Sequence, residues 1–248
     1  MIRAVSGDIR KQGRYPIESS AGRPRRWRTD FIGQRARQDV EDHPQAFLIE
    51  MDAHARIGMH FHQVDQFQVL LAGSGSLAGN PAPLVALHYV DRQTVNGPVD
   101  SGPYGLSIFT MRLKCDPGAT HQHQQTDGVF ATRHSRKRYL AATSISLSTE
   151  PVLQSRMDVV LDTLLGGDAD GMGAYLLRLG ADMSTIGPDP RLTGGQFYLV
   201  LNGSMVLDGA NYPAWSTINL SASEAPLTVR AGPAGLETLV LNFSREAS

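Results

Sequence analysis

From Ala46 onward the chain is built of short apolar runs broken by turn-forming residues. Phe47, Ile49 and Met51 alternate with Leu48, Glu50 and Asp52, the period of two that turns one face of a strand toward a core. Similar runs follow at Phe67–Leu71, Leu84–Val90 and Leu106–Leu113, separated by Gly, Pro, Asn and Asp. Residues 117–137 read as a turn- and charge-rich loop. Pro151–Leu165, with apolar residues at Val152, Val159, Leu161, Leu164 and Leu165 and a stop at Gly166-Gly167, predicts the one long helix. Strands resume at Ala174–Leu179, Gln196–Leu201, Leu227–Arg230 and Glu237–Phe243. Many short strands and one helix predict an all-β sandwich or jelly-roll barrel. A parallel sheet of βαβ units would need a helix between successive strands, and the pattern has none.

The pattern also repeats. Gln66-Phe67 recurs as Gln196-Phe197, Leu71-x-Gly73-Ser74 as Leu201-x-Gly203-Ser204, and Leu77-x-Gly79 as Leu207-x-Gly209. Pro83 matches Pro213, and Gly102-Pro103-x-Gly105-Leu106 matches Gly232-Pro233-x-Gly235-Leu236, all in one ungapped register. Glycines and prolines fix turns, so their agreement points to two copies of one unit rather than to chance.

The candidate chemistry lies in the first copy. His60 and His62, one residue apart on a strand, point to the same face. Two neutral imidazoles side by side are half of a transition-metal site. They are equally a polar pair lining a cavity and hydrogen-bonded to Gln66 and Gln68. The second copy has Pro190, Leu192 and Gln196 at the places of His60, His62 and Gln66, so it has lost both imidazoles, and Tyr198 replaces Gln68. His121-Gln-His123 is a second His-x-His pair, without a strand or a glycine in register, and reads as a solvated loop. His43, His54 and His134 sit among charged residues with no pattern of their own. Asp65 is offset by one from Gln66 and so faces the other way.

His60-x-His62, three residues, Gln66, six residues and Gly73 resembles the first signature of the cupin superfamily, with Gln66 where the family has Glu. Together with the repeat, the chain resembles a bicupin, two tandem double-stranded β-helix (jelly-roll) barrels with one connecting helix. The glycine that usually precedes the first histidine is replaced by His54. The family's third histidine belongs to a second signature whose window here covers Asn96, Gly97 and Pro98 and holds no histidine, while His88 stands in the strand before it. The resemblance implies one divalent transition metal (Fe, Mn, Ni, Zn or Cu) in the first barrel, on His60, His62 and Gln66, and none in the second. Gln66, Gln68 and His88 are then candidates for substrate contact, and His60 and His62 for catalysis. A homodimer is also implied, since cupins commonly dimerise through sheet edges and N-terminal arms.

Length and charge limit what remains. The 248 residues suffice for two domains, and a hydrophobic content of 41% with a net charge of −1 marks a globular chain rather than a disordered or nucleic-acid-binding one. No apolar run reaches the roughly 20 residues that span a bilayer, and the N-terminus lacks a signal-peptide core. Cys115 is the only cysteine, which suits a reducing cytoplasm and an inert thiol. Residues 1–40, with Arg23, Arg25, Arg26 and Arg28 around Trp27, are expected to form a polar arm. The expected organisation is arm 1–40, first barrel 41–145, helical connector 146–170 and degenerate second barrel 171–248. No DNA-reading helix-turn-helix is apparent. Three functions stay open: a metal-dependent dioxygenase, decarboxylase or isomerase acting on a small organic molecule; a metal-free isomerase, epimerase or lyase with His60 or His62 as acid/base; and a non-catalytic small-molecule-binding bicupin.

Overall fold

The alternating runs form antiparallel sheets in two units, one of Gly13–Ile145 and one of Ser146–Ser248 together with Met1–Gln12. The computed structural model describes residues 1–17, 26–36, 38–121, 137–142 and 145–245. Arg23, Arg25, His123 and His134 lie outside the described residues. Among those described, no helix is long and apolar enough to cross a membrane.

In the first unit the main sheet runs, neighbour to neighbour, Tyr139–Ala142, Ala86–Val90, Gln66–Leu77, Val99–Arg112, Gln45–Met51, Arg26–Ile32 and Arg14–Ile17. Register decides what faces inward, because residues directly opposite one another share a face. Leu70 is opposite Ile108, and Ile108 opposite Ile49. Met51, Ala55, Leu70, Ala86, Val99, Leu106 and Ile108 make an apolar core at one end of the barrel. Two residues further along the same strands the inward row turns polar, with Gln68 between His88 and Thr110, and Thr110 opposite Phe47.

The second unit runs Ile2–Val5, Thr217–Ser221, Gly195–Leu207, Thr228–Phe243, Gly173–Leu179 and Val160–Leu165. Its interior is apolar, with Leu177, Tyr198, Val200, Ile218, Leu220, Val229 and Val240 fully buried. Pro190–Leu192, the counterpart of the histidine pair, is a short 3-10 turn. Gln196 donates to the Pro188 carbonyl.

The repeat has a physical origin in close backbone approach. Gly73 (φ +90°) and Gly203 (φ +67°) are left-handed, and a Cβ on either would collide with the carbonyl oxygen of Gly105 or Gly235, respectively. Both units use the same glycine pair to let the two longest strands cross closely.

Three expectations need correction. The helix covers only Glu150–Gln154, and Val160–Leu165 is an edge strand with alternating burial. Of the apolar positions of the expected helix, Val152, Val159 and Leu161 are exposed, and only Leu164 and Leu165 turn inward. The described residues among 1–40 are not a polar arm throughout: Ile2–Val5 pairs with Thr217–Ser221, while Arg14–Ile17 and Arg26–Ile32 are strands of the first sheet. Strand pairing saturates their backbone groups, which a solvated arm would leave to water. His121 is not in a solvated loop. Thr120–His121 pairs with His60–Phe61, and His121 is directly opposite His60.

Candidate metal and ligand site

A cavity of about 310 Å³ opens at the polar end of the first barrel. Its lining includes His60, His62, His121, Gln68, Thr110, Asp116, Arg26, Arg28, Arg35 and Arg112, with Phe47, Ile49, Ile57, Val99 and Ile108 as the apolar part. The paired strands His60–Phe61 and Thr120–His121 bring three imidazoles together. The His60 ring centroid lies 5.1 Å from that of His62 and 5.7 Å from that of His121.

Each of the two predicted histidines is held through Nδ1. His60 Nδ1 lies 2.8 Å from the Gly58 carbonyl oxygen, and His62 Nδ1 lies 3.0 Å from Asp116 Oδ1. Both partners only accept, so Nδ1 carries the proton in each neutral ring and Nε2 keeps its lone pair. Burial lowers the proton affinity of His60, and it lowers that of His62, beside the Arg112 guanidinium, to a pKa of about 3. Both rings are therefore neutral at pH 7. Asp116 is buried, which by itself would raise its pKa, yet the His62 hydrogen bond and Arg112 hold it at about 2. It also accepts from the Gln63 and Gly118 amides. Arg112 is drawn down to about 10 by burial and stays charged.

Only some of the predicted residues meet. His60, His62 and Gln68 line the cavity. Gln66 does not: its Oε1 accepts from Nε and Nη2 of Arg112 at 3.2 and 2.8 Å. That oxygen is committed to the Arg112 guanidinium and Gln66 is not among the lining residues, so it stands apart from both the expected ligand set and the expected substrate contacts. His88 is also outside the lining. It is fully buried across the sheet from Gln68, with neither ring nitrogen hydrogen-bonded. The histidine pair finds its partners in Gly58 and Asp116 rather than in Gln66 and Gln68, because Gln68 accepts from Asn96 at 3.0 Å and Gln66 serves Arg112. Asn96, from the window where the cupin pattern has its third histidine, bridges backbone to backbone with His60. Asp65 caps a turn, accepting from the Arg92 amide. Cys115 is buried and donates to the Gln34 carbonyl at 2.6 Å.

The sequence reasoning missed Asp116, His121 and the arginines. Arg26, Trp27, Arg28 and Thr29 already alternate as a strand does, and Arg112 ends the Leu106–Leu113 run in the inward register. Asp116 and His121 carried no such signal, since they lie far from His60 and His62 in sequence.

These residues suit a transition ion in part. Two neutral imidazoles with Nδ1 fixed by a carbonyl and a carboxylate have the outer-shell support usual for metal-bound histidines. His121 brings a third ring near. Among the described residues, however, no three His, Cys, Asp or Glu side chains already stand as a ligand set. The available donors are nitrogen, which suits borderline ions better than hard ones.

No protein-family model matches the chain, and no curated protein does. Solved structures do. A candidate dioxygenase from Nostoc punctiforme superposes with a TM-score of 0.67 at 12% identity, over 100% of this chain and 85% of that one. A bacterial pirin from Escherichia coli, in complex with nickel(II), gives 0.57 at 12% identity over 98% and 99%. A variant of oxalate decarboxylase from Bacillus subtilis gives 0.55 at 7% identity over 100% and 78%. The chain thus has the cupin fold, all-β and jelly-roll, over its whole length.

Proposed function

We propose that the first barrel is the active centre of a metal-dependent cupin enzyme acting on a small organic substrate, of dioxygenase, decarboxylase or isomerase type. His60 and His62 would hold one divalent transition ion, with His121 the third imidazole in reach. The observation that carries this reading is the pair of Nδ1 hydrogen bonds to Gly58 and Asp116, which leaves Nε2 of each ring as the available donor. Two structural neighbours with a metal named, nickel(II) in the pirin and Mn(II) in oxalate decarboxylase, lend fold-level support.

A bound ion would act as a Lewis acid or activate oxygen. The chain's own residues do the rest. Gly58 and Asp116 fix the imidazoles; Gln68, whose Nε2 donates to Thr110 Oγ1 at 3.4 Å, keeps one amide hydrogen and Thr110 its hydroxyl hydrogen for a substrate; and Phe47, Ile49, Ile57, Val99 and Ile108 would limit water. The Asp116–His62 pair also has the form of an orienter and a general base, which would serve a metal-free enzyme. The depressed proton affinity of His62 argues against that role: a ring that resists protonation beside Arg112 is a weak base near pH 7 but remains a good neutral ligand.

Elemental analysis of protein purified without a chelating tag tests the proposal. Near-stoichiometric Fe, Mn, Ni, Zn or Cu, lost in the His60→Ala, His62→Ala double variant, is expected. Metal-free protein that also fails to take up added Ni(II), Zn(II) or Mn(II), or uptake indifferent to the double variant, would overturn it.

A further inference from the structure

Charge is unevenly distributed around this cavity. Four guanidiniums line it, from Arg26, Arg28, Arg35 and Arg112, against one carboxylate, Asp116. Asp30 stands behind the wall and accepts from Arg28 Nε at 2.7 Å. Among the described residues, setting these two carboxylates against four guanidiniums leaves an excess of two positive charges, with His60 and His62 neutral.

Two of the arginines are built in rather than draped over the surface. Arg28 is buried, its Cζ 3.7 Å from the centroid of the Phe47 ring. Its Nη2 lies 2.6 Å from Asp30 Oδ1 but without an aligned N–H, so this buried nitrogen has no hydrogen-bond acceptor. Arg112 is buried too, and its fork is held by the neutral amides of Gln66 and Gln45. Its Nη1 also lies 3.5 Å from Asp116 Oδ1, so its charge is offset in part by the one carboxylate of the lining. Four guanidiniums set against two carboxylates raise the potential of a partly desolvated cavity and attract an anion. A bound divalent ion would add to the excess.

We infer that the ligand of this cavity is a small organic dianion, a dicarboxylate, with one carboxylate received by Arg28. The inference rests on reading the cavity as a small-molecule site and specifies its ligand class. About 310 Å³ is the room of roughly ten waters, enough for a short carbon chain with two carboxylates. Phe47, Ile49 and Ile108 offer apolar contact to that chain. A planar carboxylate also suits the bidentate geometry of a guanidinium fork.

The test uses the full chain freed of metal by chelation, so its outcome is independent of whether His60 and His62 hold an ion. Calorimetric titration compares succinate with succinamide, which has the same skeleton and no charge, and with inorganic phosphate. Succinate is expected to bind at least tenfold more tightly than either, and more weakly as salt is raised. Arg28→Lys, which keeps the charge and loses the fork, should weaken succinate at least tenfold. Arg26→Gln, nearer the edge of the sheet, should weaken it several-fold and serves where the Arg28 variant fails to fold. Arg191→Gln in the second unit should leave affinity unchanged. Equal affinity for succinamide, tighter binding of phosphate than of succinate, or wild-type affinity in folded Arg28→Lys and Arg26→Gln proteins would overturn the inference. Metal uptake that fails while succinate binds would sink only the proposed enzyme chemistry.

Discussion

His88 allows a test of the first barrel's interior that needs no substrate. Burial without a hydrogen-bond partner pushes its pKa from 6.5 down to about 4. The native state therefore resists a proton that the unfolded chain accepts, so stability is highest above pH 6.5 and falls as the pH drops toward 4, with no further loss from this group below that. At 1.36 kcal/mol per pH unit, the interval is worth about 3 kcal/mol, of which about 1 kcal/mol is lost by pH 5.5. Two buried, unpaired ring nitrogens also cost about 1–3 kcal/mol at any pH. His88→Leu, close in volume, removes both burdens. It should be about 1 kcal/mol more stable than the parent at pH 7.5 and about 2 kcal/mol more stable at pH 5.5. His60 and His62 contribute acid sensitivity of the same sign, but they are common to both proteins and cancel in the difference. Urea unfolding at the two pH values measures this, followed by Trp27 fluorescence in a Trp215→Phe background, because Trp27 lies in the first unit and Trp215 in the second. A leucine variant less stable than the parent at pH 7.5, with a difference that does not change with pH, would refute the reasoning and mean that His88 is hydrogen-bonded in solution.

Asp116→Asn should keep the fold but present His62 less firmly, lowering Ni(II) or Zn(II) affinity about 10–100-fold in a chelator competition. Affinity unchanged in that variant would make the Asp116 contact incidental. Gly73→Ala and Gly203→Ala should each cost at least about 2 kcal/mol in urea unfolding, since both strain the backbone and meet a carbonyl oxygen; a cost near that of an ordinary surface alanine would dissolve the structural account of the repeat. Glu237 is buried and accepts from Ser148, Arg178 and Asn202. Glu237→Gln should lower the stability of the second unit by about 3 kcal/mol, read through Trp215, with no change at Trp27.

What could be read along the chain was whatever repeats at short range. The alternation at Phe47–Met51 and Gln66–Leu71, the twin glycines Gly73 and Gly203, and the two histidines one residue apart are all local patterns; the first two sit in strands as their period requires, and both histidines line the cavity although the strand ends at Phe61. Helical spacing misled in one place, where Val160, Leu161, Leu164 and Leu165 fit a helix's period, yet the segment is an edge strand that leaves Leu161 exposed.

The composition of the cavity belongs to the long-range pairing. Arg26 and Arg28 looked like a solvated arm until their strand was laid beside Gln45–Met51, which turned both side chains inward. His121 reaches His60 only because a two-residue strand closes across sixty residues of intervening chain. Gln66, at the position of the missing glutamate, was spaced correctly for a ligand but lost its oxygen to Arg112, a residue its spacing could not reveal. Hydrogen-bond partners and net charge in a cavity are sums over several strands, and no single stretch of chain contains the terms.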